Sequence, residues 1–327
     1  MDDWTNTRLY YVEEGDYPDN TRGTFWLNAT GSDEMNMGNV GTLDWYLNLV
    51  TTNFPADHYF LSMWDHNWGW HAGWFEEDET NNATMDYSDL AVSTSALPRV
   101  IRRLGLDLLS KIDVVGYDAC VSAQIEVLHT WQPYANTFAG SQDYVGYGGV
   151  AYDVVIGAIQ ANPLIDPSEL AAVIAESILT DPDDGCASAF KLDDSFSALV
   201  VSVDSLAKAM IANIDEIRDQ LVAIRHQTPQ TPAWVSDDFH RDLYSMASAI
   251  ASEFALSEFH EVAAAAANVT TSFDAGLIYN RVVDKRSCEG GRGLTIYWPR
   301  SLDKPSNDYY RTSFALSTAW DEFLDIF

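Results

Sequence analysis

The sequence predicts an α/β protein whose mostly parallel central sheet is covered by helices on both faces. Short β-branched apolar runs, such as residues 112–115, alternate with longer segments that carry apolar residues at helical spacing. The composition is typical of a globular protein, since 47% of the 327 residues are hydrophobic and 13% are aromatic. A chain of this length forms one large domain, or a core domain with an appendage.

The first third of the chain contains three predicted strands and two predicted helices. In order, we predict strands at 8–13 and 25–27, a helix from about 35 to 52, a strand at 60–66, an acidic aperiodic loop at 76–89 and a helix at 95–110. The helix that ends near Thr52 has Leu43, Leu47 and Val50 on one face.

The rest of the chain continues the alternation and then becomes mostly helical. In order, we predict a strand at 112–115, a helix to about 131, a strand at 135–141, helices at 152–160 and 167–179, an acidic loop at 181–194, a strand at 196–203, and helices at 205–226, 237–255, 257–267 and 313–326. The best linker is the Pro-containing stretch 227–232. We therefore divide the chain into a core, 1–226, and a helical C-terminal region, 227–327, whose late strand at 293–298 returns to the core.

The chain is strongly acidic, with a net charge of −31 from 49 acidic and 18 basic residues. This charge excludes duplex nucleic acid as a partner on electrostatic grounds. Two explanations of the acidity remain, namely a solvated surface suited to high salt and the steering of cationic substrates. No apolar run approaches the 18 residues of a membrane span, and the acidic start Met1–Trp4 lacks the apolar segment of a signal peptide.

The three cysteines are Cys120, Cys186 and Cys288. A disulfide between Cys186 and Cys288, which both lie in loop-like sequence, would leave Cys120 as a free thiol. Three glycosylation triplets, at Asn28, Asn82 and Asn268, are compatible with the extracellular or cell-surface location that we expect.

Cys120 lies where a buried strand should pass into a helix. In an open α/β sheet this is the carboxyl edge, where functional sites collect, and a helix N-terminus there would favour a thiolate. A second apolar strand ends at His66. Two strand ends, one with His and one with Cys, are the parts of a nucleophile–base dyad. The alternative is that Cys120 is a buried structural cysteine.

At these segments the chain resembles the clostripain-like cysteine peptidases, a family of the caspase-like clan. The resemblance rests on Pro55-Ala-Asp-His-Tyr-Phe-Leu-Ser-Met-Trp-Asp-His, on Gly116-Tyr-Asp-Ala-Cys, and on the late segments Gly293-Leu-Thr-Ile-Tyr-Trp-Pro and Trp320-Asp-Glu-Phe-Leu. It implies a caspase-like α/β/α sandwich in which 1–226 is the catalytic core. It also implies endopeptidase activity, often with a basic P1 residue, with His66 as the base and Cys120 as the nucleophile.

The sequence departs from the family pattern at two positions of the site. Asn67 follows the histidine where the family has Gly, whose backbone N–H helps to form the oxyanion hole. Because Asn tolerates positive φ better than other non-glycine residues, we expect the backbone of Asn67, with that of Cys120, to hold the oxyanion. Gly148 falls where the family often has an acidic residue, and either Asp143 or Asp153 could replace that residue.

We further predict Asp118, Ser141 and Trp68 as substrate-binding residues. Asp118 would face a substrate cation from a distance, because a carboxylate that touched the thiol would raise its pKa and weaken the nucleophile. Its alternative role is to accept hydrogen bonds from loop amides. Trp68 either walls the cleft or packs in the core. His71 is the alternative base, but the spacing of His66 and His71 is not that of a helical zinc site.

The sequence therefore predicts a cysteine endopeptidase that acts on peptide or protein substrates. The chemistry requires no metal and no cofactor, although a structural Ca²⁺ is compatible with the acidic composition. The alternative from another class is a catalytically silent caspase-like domain used for binding or surface assembly. The absence of Gly after His66 is the best support for that alternative.

Overall fold

The computed structural model describes residues 8–13, 24–28, 40–71, 111–179, 185–230, 239–283, 288–300 and 305–327. The predicted loop at 76–89 and the predicted helix at 95–110 lie outside these ranges. The described strands are β1 (Arg8–Tyr11), β2 (Thr24–Asn28), β3 (Phe60–Trp64), β4 (Ile112–Asp118), β5 (Ala135–Gly140), β6 (Cys186–Lys191), β7 (His240–Asp242), β8 (Leu277–Val282) and β9 (Thr295–Tyr297).

The described helices follow the strands in the alternation that the sequence predicts. They are α1 (Val40–Asn53), α2 (Ile125–Trp131), α3 (Tyr152–Ala161), α4 (Pro167–Ile178), α5 (Asp194–Ala212), α6 (Ile214–Gln227), α7 (Leu243–Phe254), α8 (His260–Gly276) and α9 (Trp320–Ile326). Asp166 caps α4 by accepting a hydrogen bond from the Ser168 N–H, and Pro167 occupies the first helical turn, where proline is favoured.

Five of the described strands form the central sheet, in the order β3-β4-β5-β6-β8. Strands β3, β4 and β5 pair in parallel, whereas β6 is antiparallel to both of its neighbours. Four of these strands therefore run in the same direction, which agrees with the predicted mostly parallel sheet. The parallel strands bring their carboxyl ends to one edge of the sheet.

Helices cover both faces of this sheet, because successive strand residues point to opposite sides. On the face covered by α3 and α4, the strands contribute mostly small side chains, such as Ala139, Ala187 and Ala189. On the other face they contribute larger ones, such as Tyr117, Phe138 and Phe190, which pack with α5, α7 and α8. The small residues let α4 approach the sheet closely. The result is an α/β/α sandwich.

The sequence prediction fails in the segment from 181 to 212. The predicted acidic loop at 181–194 contains the paired strand β6, and the predicted strand at 196–203 is the first half of α5. Asp193 caps this helix by accepting a hydrogen bond from the Ser195 N–H (2.8 Å). Phe196, Leu199 and Val203 are fully buried at helical spacing. A local cap and long-range strand pairing thus determine the secondary structure of a segment whose apolar run is compatible with either a strand or a helix.

The C-terminal region also differs from the prediction. Strand β8 was missed, although it adds an edge to the central sheet beside β6. The late strand is shorter than predicted, and as β9 it pairs with β7 and bridges Gln124 rather than joining the central sheet. The predicted helix at 313–326 is helical only from Trp320, after a short 3₁₀ turn at Ala315–Ser317.

Two further features concern the core. Cys186 and Cys288 form a disulfide, which leaves Cys120 as the free cysteine. Among the described residues, α5 alone has the length and apolar composition of a membrane-spanning helix. Several of its side chains, including Leu206 and Met210, are fully buried in the protein core.

Candidate active site

The pairing of β3 and β4 places His66 and Cys120 at neighbouring positions. The two strands are parallel, and Trp64 lies opposite Asp118. His66 and Cys120 each follow two residues after this pair. Neighbouring parallel strands are separated by only about 5 Å, so the ends of β3 and β4 from which these two residues follow lie next to each other. The register therefore brings the two segments that carry the predicted base and nucleophile to the same edge of the sheet.

The thiol of Cys120 is partly buried beneath the loop that follows β5. The Val145 N–H donates to Cys120 Sγ (3.5 Å), and the Val145 carbonyl oxygen lies 4.0 Å from it. Burial raises the pKa of the Cys120 thiol, and the charges of Asp143 and Asp118 raise it further, while the Val145 amide acts in the opposite direction. The surroundings of Cys120 therefore favour the protonated thiol.

The predicted stabilisation of a thiolate by a helix N-terminus is wrong. Helix α2 begins at Ile125, five residues after Cys120, and has only seven residues. The dipole of a helix acts within its first turn, and Cys120 precedes the first turn of α2 by five residues. Burial under the β5 loop, rather than a helix, dominates the pKa of this cysteine.

The turn after the nucleophile has a strained backbone. Val121 has a φ of 49°, which β-branched residues avoid, at a typical cost of about 1–3 kcal/mol. Hydrogen bonds to the β5 loop hold this turn, from Val121 N–H to the Asp143 carbonyl and from Ala123 N–H to the Ser141 carbonyl, both at 2.8 Å. Strain of this kind clusters at functional sites, and here it directly follows the predicted nucleophile.

The segment after β3 presents His66 on the surface. The positive φ that we expected at Asn67 occurs instead at Asp65 (140°) and Gly69 (68°). Asp65 Oδ1 accepts a hydrogen bond from the His66 N–H (2.6 Å), which is the local contact that lets Asp adopt such a conformation. Asn67 is 2% exposed, and its Oδ1 accepts from the Gly69 N–H (2.8 Å). The rival base His71 ends the 3₁₀ turn Gly69–His71.

Asp118 lies in a closed polar environment at the end of β4. Its side chain is 5% exposed, and Oδ1 accepts a hydrogen bond from the Val150 N–H (3.0 Å). Gly149 packs against it, because a Cβ there would lie 2.7 Å from Asp118 Oδ1. Tyr152, which also contacts Ser62 (2.8 Å), hydrogen-bonds the carboxylate, and burial raises the pKa of this tyrosine to about 12. Asp118 therefore accepts a hydrogen bond from a loop amide, which is the alternative role that the sequence suggested for it.

The other candidates around the thiol occupy different environments. Ser141 is fully buried, and its hydroxyl donates to the Cys186 carbonyl and accepts from the Asp143 N–H (3.0 Å). This internal use of the hydroxyl argues against the predicted substrate contact. Of the two possible replacement carboxylates, Asp143 is buried near Cys120, with Oδ2 3.6 Å from Cys288 Sγ, whereas Asp153 is exposed.

Trp68 lies on the open side of the site. It is 40% exposed, and its ring contacts Tyr144 edge to face, with a centroid distance of 5.9 Å. It therefore packs against the loop that follows β5 at the protein surface. The contributions of Val145, Gly149 and Tyr152 were not predicted from the sequence. The Gly-rich run 146–149 marked a flexible loop there, but nothing in the sequence indicated that it folds over the ends of β3 and β4.

In the described ranges, no group of three or more His, Cys, Asp or Glu side chains is arranged to hold a metal ion. The predicted dyad chemistry requires none. The described residues can supply a thiol nucleophile, an imidazole on a segment at the same edge of the sheet, and two carboxylates, Asp118 and Asp143, whose charges act on the thiol.

The chain matches a model of the Clostripain family over residues 12–327. It is 27% identical over 178 residues to clostripain of Hathewaya histolytica, an alignment that covers 49% of this chain and 32% of that protein. The chain thus aligns with only about a third of the length of this curated relative.

Two solved structures are similar in fold. An inactive zymogen C11 protease from Parabacteroides distasonis superposes with a TM-score of 0.60 and 19% identity, over 91% of this chain and 79% of that one. A secreted C11 cysteine protease from Bacteroides thetaiotaomicron, in complex with an irreversible peptide inhibitor, superposes with a TM-score of 0.58 and 18% identity, over 90% of this chain and 80% of that one. These likenesses confirm the predicted caspase-like α/β/α fold.

Proposed function

Because the chain belongs to the Clostripain family, we propose that it is a cysteine endopeptidase in which Cys120 is the nucleophile and His66 the base. The observation that carries this proposal is the parallel register of β3 and β4, which sets both residues two positions beyond one strand pair. The strained Val121 directly after Cys120 is a second support.

In the proposed reaction, Cys120 Sγ attacks the carbonyl carbon of the scissile peptide bond while His66 takes the thiol proton. The backbone N–H of Cys120 holds the oxyanion of the tetrahedral intermediate. The N–H of Asn67 is the proposed second donor, although Asn67 lacks the positive φ that we expected there. His66 then returns the proton to the leaving amine as the C–N bond breaks, which leaves a thioester on Cys120. Water, activated by His66, hydrolyses the thioester and restores the thiol.

The raised pKa of the Cys120 thiol decides when the proton moves in this scheme. Burial makes a preformed thiolate unfavourable. The proton therefore passes to His66 during the attack rather than before substrate binding. A substrate that covers the cleft would exclude water and strengthen the interaction between the charges formed.

We propose that Asp118 gives the enzyme a preference for Arg or Lys at P1. Its buried carboxylate, fixed by the Val150 N–H, supplies a negative charge close enough to raise the pKa of the thiol. Asp143 adds a second carboxylate whose charge also acts on Cys120. Trp68 would cover the aliphatic part of the substrate side chain at the open edge. Ser141 would act indirectly, by holding the Asp143 amide.

Substitution of each proposed catalytic residue tests the activity. Cys120→Ala and His66→Ala should each abolish cleavage of a mixed peptide library while the far-UV circular dichroism stays that of the wild type. His71→Ala is the matched control and should keep most of the activity. Activity that survives Cys120→Ala would refute the dyad, and loss in His71→Ala alone would move the base to His71.

The silent-domain alternative predicts a different result for the wild type. Without a working dyad, the unmodified protein should cleave no peptide, and alkylation of Cys120 by iodoacetamide should be unaffected by His66→Ala. A peptidase should show selective alkylation at Cys120 that slows when His66 is removed.

We also propose that the protein acts outside the cell or at its surface on peptide or protein substrates. The buried Cys186–Cys288 disulfide fits an oxidising compartment. One of the similar structures is of a secreted protease. Fractionation of producing cells, with detection of the protein in the medium, is the direct test.

A further inference from the structure

A buried glutamine joins the segment that carries His66 to the segment that carries Cys120. Gln124 lies four residues after Cys120, directly before α2, and is fully buried. Its Oε1 accepts a hydrogen bond from the Trp70 N–H (3.0 Å), across 54 residues of sequence. Trp70 lies four residues after His66. The contact therefore ties equivalent positions beyond the two strand ends.

Gly69 lets the glutamine approach the backbone of the histidine segment. A Cβ at Gly69 would lie 2.0 Å from Gln124 Oε1 and 2.2 Å from its Cδ and Nε2. Gly69 also has a φ of 68°, which side chains rarely tolerate. The Gln124 amide thus occupies the space that any other residue at position 69 would fill. Asn67, whose Oδ1 accepts from the Gly69 N–H, continues this packing towards His66.

The contact is anchored on both sides. The backbone of Gln124 forms a bridge with Thr295 of β9, and its carbonyl accepts from the Leu128 N–H of α2. The Trp70 ring packs edge to face against Tyr297 and Tyr309, with a centroid distance of 4.9 Å to each. Gln124 is therefore held in place, and the backbone of residues 67–70 packs against it.

We infer that Gln124 is a positioning residue, which holds the His66 segment at a fixed distance from the Cys120 turn. The inference rests on the proposed role of His66 as the base. His66 itself lies on the exposed surface of a short segment, so the place of its ring depends on where the backbone of that segment is held. A shift of about 1 Å in a proton-transfer partner can cost about 100-fold in rate.

Four variants of the full chain test the role of Gln124. Gln124→Met keeps the length and bulk of the side chain but removes the acceptor, and Gln124→Glu restores an oxygen at the same position. Gln132→Met is the matched control, because Gln132 Nε2 donates to Ser197 Oγ (2.5 Å) and touches neither catalytic segment. Gly69→Ala provides an independent perturbation of the same contact from the other side.

Kinetics and amide hydrogen exchange are measured on all four variants. For Gln124→Met and Gly69→Ala we expect kcat to fall about 10- to 100-fold with KM nearly unchanged, and Gln124→Glu to recover most of this loss. Exchange at residues 65–70 should accelerate in Gln124→Met and Gly69→Ala, while β4, β5 and α5 keep wild-type protection. Gln132→Met should match the wild type in kcat and in exchange at residues 65–70.

The two readouts separate this inference from the proposed activity. Wild-type exchange at residues 65–70 in Gln124→Met refutes the positioning role whether or not the protein cleaves peptides. A wild-type kcat in Gln124→Met, despite faster exchange, refutes it as well. Faster exchange in a protein whose wild type cleaves no peptide would support the tie between the segments and refute the proposed function instead. Global loss of protection in Gln124→Met and Gly69→Ala would assign Gln124 to the core and overturn the inference.

Discussion

The replacement of Glu126 by Gln should make the protein more stable at alkaline pH but not at acidic pH. Glu126 is 1% exposed, and its Oε1 accepts hydrogen bonds from the Tyr297 N–H (2.9 Å) and the Tyr309 hydroxyl (3.1 Å). Burial raises the pKa of this carboxyl from 4.5 to about 7, against the opposing effect of these hydrogen bonds. The neutral acid is therefore the favoured form in the folded protein.

The sign of the effect follows from proton binding. Between 4.5 and about 7, the folded protein retains a proton that the unfolded chain has lost, so the free energy of unfolding falls as pH rises through this window. Below the window the contribution of the protonated carboxyl is fully present. The difference between the two pKa values corresponds to about 3 kcal/mol, which is lost by about pH 8. Gln keeps the Oε1 acceptor and cannot ionise.

Urea denaturation of the wild type and of Glu126→Gln, at about pH 5 and about pH 8, measures this difference. The free energy of unfolding of the variant relative to the wild type should rise by about 2–3 kcal/mol from the lower to the higher pH. Subtraction of the wild type at each pH cancels the titration of other groups. Glu261→Gln, on the exposed face of α8, is the control and should show no such change. A pH-independent difference for Glu126→Gln, or one of opposite sign, would refute the reasoning.

Three further predictions concern the site and the disulfide. Because burial raises the pKa of the Cys120 thiol, its alkylation by iodoacetamide, followed by mass spectrometry, should accelerate continuously from about pH 7 to about pH 9; a plateau that begins below neutral pH would contradict the raised pKa. Asp118→Asn should lower kcat/KM for substrates with Arg or Lys at P1 at least tenfold, about 1.4 kcal/mol, relative to apolar P1 residues in the same library; an unchanged ratio would remove Asp118 from specificity. Joint replacement of Cys186 and Cys288 by Ser opens a loop of 102 residues and should lower the free energy of unfolding, measured in urea, by about 2–5 kcal/mol; a loss below about 1 kcal/mol would show that the core alone holds these segments.

Local sequence patterns were sufficient to predict an element where the segment is short and its pattern fits only one type of secondary structure. The strands that end near His66 and Cys120 carry apolar residues bounded by polar ones, and both lie close to their predicted positions. The helices α3 and α4 follow their periodicity in the same way, and the latter has its cap and proline in sequence. These features depend on neighbours along the chain, so the sequence could predict them.

Long-range pairing decided the elements that the sequence misassigned. Strand β6 consists largely of small residues, and its stability comes from the flanking strands β5 and β8, the second of which is contributed by residues about 90 positions away. The apolar run at 196–203 suits either a strand or a helix, and the hydrogen bond of Asp193 to the Ser195 N–H starts the helix. The cap is a local signal within the apolar segment's own neighbourhood, whereas the pairing of β6 depends on distant residues.

The sequence by itself determined which chemistry is available here, namely a thiol and an imidazole at two strand ends, with a carboxylate two residues before the thiol. The tertiary structure decided how that chemistry is tuned. The β5 loop buries Cys120 and raises its pKa, where the sequence pattern predicted a helix that would lower it. Likewise, the contact between Gln124 and Gly69 exists only because β3 and β4 pair in one particular register. Burial and register arise from residues distant in sequence, and for that physical reason only the folded chain reveals them.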